Sequence, residues 1–224
     1  GIELMVSPAV LIPRPETELL VDFAIEEIGR RLAHSHESVE LKVLDLGTGS
    51  GAIALALAHA LRDSHKNTLK IEVIGIDASS DAIALARENA RVLDLHPGVQ
   101  FMQSDWFADI PKGWLGSFDF ILSNPPYIDP SDPHLQEGDL RFEPRIALTD
   151  EHDGLQCIRL ILDQCHDFLK GDGLIALEHG YDQAEPVRTL MNQVGLSAVE
   201  SWPDLAGHIR ISVGRIGPKN PITK

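Results

Sequence analysis

The segment DLGTGSGAIALA, residues Asp45–Ala56, decides the fold of this chain. A hydrophobic strand pattern at Lys42–Leu46 runs into three closely spaced glycines, and an Ala- and Leu-rich helix pattern follows over Ala52–Leu61. Glycines let the backbone turn tightly and approach a ligand closely, and the N-terminus of the following helix favours polar or anionic groups. The segment predicts a strand–turn–helix unit with a candidate ligand site, although such turns also serve simply to join a strand to a helix.

Strand and helix patterns alternate along the rest of the chain. The strand patterns cover residues 71–77, 99–103, 118–124, 173–179, 198–202 and 209–214, and the helix patterns cover residues 15–32, 79–93, 154–169 and 183–193. Such alternation predicts an α/β fold with a doubly wound, mostly parallel sheet of the Rossmann-like type. Because no helix pattern separates the last two strands, we expect an antiparallel pair at one sheet edge.

Composition points to one globular unit. The chain has 224 residues, of which 43% are hydrophobic and 24% charged, and a chain of this size can bury a sizeable core. We expect an N-terminal segment at residues 1–40, a catalytic domain at 41–217 and a tail at 218–224. No apolar stretch is long enough for a membrane span, so the sequence predicts a cytoplasmic protein, expected to be a monomer, without membrane contact.

Charge and ligand spacing exclude further classes. The formal net charge of −15 opposes direct binding to nucleic acid, because that affinity comes from Lys and Arg. The ten histidines lack metal-ligand spacing, so no metal site is predicted. Cys157 and Cys165 lie on one predicted helix about 12 Å apart, too far for a disulfide, which favours a reducing compartment.

Groups suited to a nucleoside follow the first three strand patterns. The spacing in Gly47–Gly51 is G-x-G-x-G and not the G-x-G-x-x-G/A of a pyrophosphate site, which argues against NAD. Asp77 ends the second strand, where its carboxylate can accept hydrogen bonds from a ribose diol or cap the next helix. Asp105 and Trp106 follow the third strand and can bind an adenine, although Trp106 or Phe107 can instead belong to the core.

Together these groups match a nucleoside without a phosphate. We therefore expect S-adenosylmethionine as cofactor and S-adenosylhomocysteine as product, since this cofactor needs no basic residue to hold a phosphate. The residues expected to bind it are Gly47, Thr48, Gly49, Ser50, Gly51, Asp77, Asp105, Trp106 and Asn124.

The fourth strand pattern ends in Asn124-Pro125-Pro126-Tyr127. Two prolines fix the backbone and remove donors, so the turn is rigid and presents carbonyl acceptors. The side-chain oxygen of Asn124 and the carbonyl of Pro125 can accept both hydrogens of a planar NH2 group, against which Tyr127 can lie. Such acceptors orient the nitrogen and stabilise the positive charge that develops as it attacks a sulfonium methyl. We expect Asn124, Pro125 and Tyr127 to be catalytic.

Six stretches of the chain resemble one family, the HemK/PrmC-type peptide chain release factor glutamine methyltransferases. They are VLIPRPETELL, DLGTGSGAIALA, SDWF, FDFILSNPPYI, GDLRFEPRIAL and LEHGYDQ, and the resemblance spans about residues 2–215. The Asn-Pro-Pro-Tyr motif is shared with DNA adenine methyltransferases. The segment Pro13–Thr17 is narrower, and it separates this chain from related enzymes that methylate a ribosomal protein glutamine.

The resemblance implies a Rossmann-like methyltransferase that uses S-adenosylmethionine. It also implies a class I release factor as partner, methylated at the glutamine of its Gly-Gly-Gln motif. Arg14, Glu16 and Thr17 lie where the family's segment approaches the acceptor pocket, although their own pattern predicts only a helix start. The substrate-binding residues expected on this basis are Arg14, Asn124, Pro125, Pro126 and Tyr127.

Some features depart from the family or leave alternatives open. Family members usually carry an N-terminal helical domain that helps to dock the release factor, and we expect this chain, which does not begin with Met, to lack it. Residues 207–210 and 149–152 differ from the family pattern, and residues 128–153 form a long connection of the kind that often serves as a lid.

Two other function classes remain. A DNA or RNA adenine methyltransferase would share the NH2 chemistry, but the acidic balance and the lack of a basic recognition region oppose it. A non-catalytic nucleotide-binding module would leave Asn-Pro-Pro-Tyr at the fourth strand end unexplained.

Overall fold

One sheet flanked by helices makes up the computed structural model, which describes residues 1–35, 37–62, 69–96, 98–136, 138 and 140–217. The strands are β1 (Val39–Leu46), β2 (Leu69–Asp77), β3 (Val99–Gln103), β4 (Phe118–Ser123), β5 (Leu169–Glu178), β6 (Ser197–Pro203) and β7 (Ile209–Arg215). The helices are α1 (Pro15–Ala33), α2 (Ala52–Leu61), α3 (Ser80–Val92), α4 (Gln156–Phe168) and α5 (Ala184–Gln193).

The strand order is β3-β2-β1-β4-β5-β7-β6. Strands β1 to β5 pair in parallel, whereas β7 runs antiparallel to both β5 and β6. The α/β doubly wound fold and the antiparallel edge pair are therefore confirmed. The order reverses direction between β1 and β4, and in open α/β sheets ligands bind beyond the carboxyl ends of the strands at such a point.

The core consists of two apolar clusters, one on each face of the sheet. Successive residues of β1 point to opposite faces, so Val43 packs with helices α1 to α3 and Leu44 packs with α4 and α5. The predicted apolar side of α1 is buried at Leu20, Phe23, Ala24 and Ile28. Helix α1 therefore shares one core with the sheet.

Three strands begin earlier than their sequence patterns predicted. Strand β1 begins at Val39 and not at Lys42, and β2 begins at Leu69 and not at Ile71, because these two extensions pair with each other. Strand β5 begins at Leu169, which pairs with the start of β4 across a register shift. The predicted division at residue 40 falls inside β1, and the domain bounds stay a prediction.

The helix bounds agree more closely with the sequence. Helix α2 has its predicted bounds, and Ser79 caps α3 by accepting a hydrogen bond from the backbone N–H of Ala82 at 3.2 Å. Helix α4 begins at Gln156 and not at Gly154, because Asp150 accepts hydrogen bonds from both backbone N–H groups and holds a turn before the helix. The predicted tail at 218–224 and most of the predicted loop at 63–70 lie outside the described residues.

Candidate active site

The glycine turn at the end of β1 is built from backbone that only glycine adopts readily. Gly47, Gly49 and Gly51 all have positive φ, of 71°, 55° and 86°. The turn is closed by a hydrogen bond from Gly51 N–H to the Thr48 carbonyl at 2.8 Å, and Thr48 N–H donates to the Ile76 carbonyl of β2 at 2.8 Å. The turn is thus held against the end of the neighbouring strand.

Asp77 connects this turn to the start of α3. Its carboxylate accepts hydrogen bonds from the backbone N–H groups of Gly49 and Ser79, both at 2.9 Å. Each carboxylate oxygen has two lone pairs, so both retain capacity to accept a further hydrogen bond from a ligand hydroxyl. The ribose-binding and helix-start interpretations of Asp77 are therefore compatible.

Asp45 is a buried carboxylate under the turn, and sequence reasoning assigned it no role. One oxygen accepts hydrogen bonds from the Thr48 hydroxyl at 2.6 Å and from Ala54 N–H at 3.2 Å. The other oxygen has no hydrogen-bond partner among the described residues. Burial raises the pKa of Asp45 to about 7, against the lowering effect of these two hydrogen bonds.

The two aromatic residues after β3 have different roles. Phe107 is buried and stacks on Phe168 with ring centroids 4.6 Å apart, so it belongs to the core. Trp106 is half-buried, has φ of 47°, and lies beside the glycine turn, where a Cβ added at Gly47 would be 3.7 Å from its ring. Asp105 is exposed beside it. The structure therefore assigns Phe107 to the core and brings Asp105 and Trp106 to the glycine turn.

The Asn-Pro-Pro-Tyr motif leaves β4 beside the glycine turn. The Ser123 hydroxyl donates to the Leu46 carbonyl at 2.7 Å, which ties the end of β4 to the end of β1. Asn124 Nδ2 donates to the Thr17 hydroxyl of α1 at 3.0 Å. Thr17 therefore contacts the acceptor motif, and the hydrogen bond that it makes there is to the protein and not to a substrate.

Glu178 ends β5 behind the motif and is fully buried. The Tyr127 hydroxyl donates to its Oε1 at 3.3 Å, while Oε2 has no hydrogen-bond partner among the described residues. Burial raises the pKa of Glu178 to about 7, and hydrogen bonds from the Thr17 and Tyr127 side chains oppose that rise. The pKa of Tyr127 is raised as well, first by its burial and then by the charge of Glu178.

Gln183 fastens the motif from a third side. Its Nε2 donates to the Tyr127 carbonyl at 2.9 Å and to the Gly154 carbonyl at 3.2 Å, and its Oε1 accepts from Gly180 N–H at 2.8 Å. Gly154 has φ of 72°, and a Cβ there would overlap the Tyr127 carbonyl oxygen. Glu178 and Gln183 both belong to the stretch LEHGYDQ. Only the family resemblance indicated a functional role for this stretch.

Arg14 is paired within the protein. Its guanidinium forms an ion pair with Glu143, whose side chain is 3% exposed. Glu143 also accepts a hydrogen bond from Ile12 N–H at 3.1 Å. The stretch that contains Glu143 thereby holds the segment before α1, so the charge of Arg14 is already partnered.

These elements surround a cavity of about 520 Å³, a size typical of small-molecule sites. Of the predicted site residues, the cavity is lined by Gly47, Thr48, Gly49, Ser50, Asp77, Asp105, Trp106, Asn124 and Pro126. Gly51, Pro125, Tyr127 and Arg14 lie outside that lining. The lining residues that the sequence did not single out for the site include Val10, Ser104, Ile146 and Cys157.

The charged side chains of the described cavity lining are all acidic. Asp77, Asp105, Asp150 and Glu151 contribute carboxylates, and the described lining contains no Lys or Arg. Such a cavity favours a ligand with positive charge over one with phosphates. The two cysteines are free thiols on α4, in agreement with their predicted spacing.

The residues that the structure describes contain neither a metal-ligating cluster nor a membrane-spanning helix. Among the described residues, no group of three or more His, Cys, Asp or Glu side chains is placed to hold a metal ion. Over those same residues, no helix is both long and apolar enough to cross a membrane.

Comparisons with known proteins agree with this geometry. Residues 37–204 match a family described as a methyltransferase domain. A release factor glutamine methyltransferase of Burkholderia pseudomallei (strain K96243) is 48% identical over 96% of this chain and 72% of its own length. The protein of that name from Pasteurella multocida (strain Pm70) is 44% identical, over 96% of this chain and 71% of its own.

Solved structures show the same fold at much lower identity. A putative S-adenosyl-L-methionine-dependent methyltransferase from Methanococcus maripaludis superposes with a TM-score of 0.58 at 15% identity, and the match covers 93% of this chain and 90% of that one. The fold and the matched domain define this chain as a methyltransferase. Its similarity to the curated relatives is high over most of their length, and the chain belongs to the release factor glutamine methyltransferase family.

Proposed function

We propose that this chain transfers a methyl group from S-adenosylmethionine to the side-chain amide nitrogen of the glutamine in the Gly-Gly-Gln motif of a class I release factor. The observation that carries the proposal is the position of Asn124, which directly follows β4 on the wall of the cavity and lies in hydrogen-bond contact with Thr17. Family membership supports the choice of a release factor as partner.

The residues of the cavity fit the proposed cofactor. Gly47–Gly51 allow close approach of the ligand to the backbone, Asp77 retains acceptor capacity for a ribose diol, and Asp105 with Trp106 offers a carboxylate and a ring to adenine. The acidic lining suits a molecule with an ammonium and a sulfonium group. When bound, S-adenosylmethionine supplies an electrophilic methyl group.

The acceptor residues act on the substrate nitrogen. Asn124 Oδ1, on the cavity wall, accepts one hydrogen of the glutamine NH2 group. The Pro125 carbonyl accepts the other hydrogen and the Tyr127 ring lies against the planar group, which requires the glutamine to reach past the cavity wall toward these two residues. These contacts orient the nitrogen toward the methyl and stabilise its growing positive charge, so they strengthen in the transition state. Pro126 completes the rigid turn, and Arg14 supports the segment that carries Thr17 through its ion pair with Glu143.

The same NH2 chemistry would serve an adenine, so charge decides between the two acceptors. With a net charge of −15 and no Lys or Arg in the described cavity lining, the chain offers little to a phosphate backbone. We propose that it acts on protein, does not bind nucleic acid directly, and works as a monomer in the cytoplasm.

A side-by-side transfer assay tests this proposal. The protein is incubated with methyl-labelled S-adenosylmethionine and either an unmodified class I release factor or adenine-containing DNA and RNA. We expect label in the release factor alone. Label in either nucleic acid, or in none of the acceptors, would overturn the assignment of the substrate.

A further inference from the structure

The Asn124 carboxamide is held from one side only. Its Nδ2 donates to Thr17 Oγ1 at 3.0 Å, whereas Oδ1 accepts no hydrogen bond from the part of the chain that the structure describes. A carboxamide can rotate by half a turn and exchange its donor and acceptor ends at little steric cost. A neighbouring group must therefore fix which end of the Asn124 carboxamide faces the cavity.

The direction of the Thr17 hydroxyl fixes the orientation of the Asn124 carboxamide. Thr17 lies in the first turn of α1, and it is buried between the Asn124 amide and the Glu178 carboxylate. Above its raised pKa of about 7 the Glu178 carboxylate is ionised and only accepts hydrogen bonds, so a hydroxyl that bonds to it must donate its single hydrogen. Thr17 Oγ1 can then meet Asn124 only as an acceptor, which requires the NH2 end of Asn124.

Other contacts keep this arrangement fixed. The Thr17 hydroxyl is not used to cap its own helix, because Arg14 is the N-cap residue and α1 has no side-chain cap. Glu178 is fully buried and also accepts a hydrogen bond from the Tyr127 hydroxyl at 3.3 Å. Hydrogen bonds thus join the motif after β4 to α1 through Asn124 and Thr17, and to the end of β5 through Tyr127 and Glu178.

We propose that Thr17 and Glu178 are positioning residues, which turn the Asn124 carboxamide so that Oδ1 and not Nδ2 is presented to the substrate nitrogen. The inference rests on the proposed function, since an NH2 acceptor is what requires this orientation. A reversed carboxamide would set one NH2 group against another, and the interaction that stabilises the transition state would be lost.

The first test compares Thr17→Val with Thr17→Ser at about pH 8, above the raised pKa of Glu178, where most of that carboxyl is ionised in the folded protein. Valine keeps the size of the side chain and removes the hydroxyl, whereas serine retains it. We expect Thr17→Val to lower kcat by about 10-fold, the scale of one lost hydrogen bond, with the affinity for S-adenosylmethionine changed by less than about threefold. Thr17→Ser should keep kcat within about threefold. Equal kcat for the wild-type and valine proteins would overturn the proposal.

A double-mutant cycle asks whether Thr17 acts through Asn124. In an Asn124→Ala background the carboxamide is absent, so Thr17→Val should lower kcat by less than about twofold further. A full 10-fold loss in that background would mean that Thr17 acts by another route. If Thr17→Val does not fold, Glu178→Gln tests the same contacts, because the amide of glutamine lets the Thr17 hydroxyl reverse its direction. An unchanged kcat in Glu178→Gln would then overturn the proposal.

A spectroscopic readout separates this inference from the proposed function. In the wild-type protein the Asn124 side-chain NH2 should give one pair of NMR resonances protected from solvent exchange, and Thr17→Val should lose that protection. If the wild-type protein methylates no release factor, the proposed function fails, yet the NMR comparison still decides the orientation. Unprotected Asn124 NH2 resonances in the wild-type protein would contradict the inference.

Discussion

Asn124 combines two opposite hydrogen-bonding groups on one short side chain. Its NH2 group donates to Thr17, and we propose that its oxygen accepts from the substrate. The position of this residue at the end of β4 was predicted from its place after a buried strand and before two prolines. Its hydrogen-bond partner Thr17, which is 107 residues away, was not predicted from the residue pattern, which indicates only a helix start. Only the family resemblance brought Thr17 near the acceptor pocket.

Loss of the Asn124 oxygen should affect turnover far more than cofactor binding. Asn124→Ala removes an acceptor whose interaction strengthens as positive charge develops, so kcat should fall at least about 100-fold. Single-turnover kinetics measures the chemical step, and calorimetry with S-adenosylhomocysteine measures cofactor affinity. Asn192→Ala, an exposed asparagine on α5, is the matched control. Near-normal turnover in Asn124→Ala would make the motif structural.

Asp77 is predicted to bind the ribose of the cofactor. Asp77→Ala should weaken S-adenosylmethionine binding by about 1.5–3 kcal/mol, because it removes charge-assisted hydrogen bonds to the diol and loosens the Gly49 backbone. Calorimetric titration gives the dissociation constant, and circular dichroism checks the fold. Asp81→Ala, which removes an exposed carboxylate of α3, serves as the control. An unchanged dissociation constant in Asp77→Ala would remove Asp77 from the site.

At the scale of elements, strand periodicity and caps were readable from the sequence. The bounds of α2 and the Ser79 cap of α3 follow from local patterns, because both depend on residues within one turn. The early start of β1 was not readable, since it depends on pairing with β2, some 30 residues away. The glycine turn and Trp106 were predicted at the site for the same local reason.

Buried carboxylates at strand ends escaped prediction because their burial is a tertiary property. Asp45 is the last residue but one of β1 and reads as one polar residue in a hydrophobic strand, and Glu178 reads the same way at the end of β5. Both have a pKa raised to about 7 by burial. Their environment, which no local pattern encodes, gives these strand ends their electrostatic character.

The raised pKa of Glu178 predicts how stability changes with pH. The unfolded chain ionises this group near its ordinary pKa of 4.5 and the folded chain near 7, so its contribution is fully present below 4.5 and is lost as pH rises toward and through 7. The groups that face it are Thr17, Tyr127, Glu16 and Arg210.

Glu178→Gln should therefore gain free energy of unfolding relative to wild type as pH rises from about 4.5 to 8, on the order of 1–3 kcal/mol. Urea unfolding at several pH values measures the difference, and it isolates Glu178 because Asp45 is present in both proteins. The control is Glu185→Gln, an exposed carboxyl on α5. A wild-type-to-variant difference that stays constant with pH would contradict the assignment.

At the scale of the whole molecule, a parallel sheet brings distant stretches of the chain to one edge. The glycine turn, Asp77, Trp106 and Asn124 follow four different strands, and the sheet gathers them around one cavity. The sequence predicted that gathering, since the carboxyl ends of parallel strands meet at the same edge. The long connection at residues 128–153 was expected to be a lid or binding loop, but its lack of a periodic pattern did not show which of its residues line the cavity. They are Ile146, Ala147, Thr149, Asp150 and Glu151.

The acidic character of the chain also acts at this scale. The net charge of −15 opposes binding to a nucleic acid phosphate backbone and so favours the proposed protein acceptor. We therefore base the choice between a glutamine and an adenine on the charge of the whole molecule, because the NH2 chemistry of the site suits both acceptors.

We propose that the acceptor is one particular glutamine of the release factor. Mass spectrometry of a methylated release factor shows directly which residue carries the methyl group. A class I release factor is incubated with S-adenosylmethionine and the wild-type protein, with the Asn124→Ala protein in parallel, then digested and fragmented to locate the added methyl group. We predict a single methyl on the side-chain amide of the Gly-Gly-Gln glutamine with the wild-type protein and at most a trace with Asn124→Ala. A methyl group on any other residue, or equal methylation by the two proteins, would contradict the account.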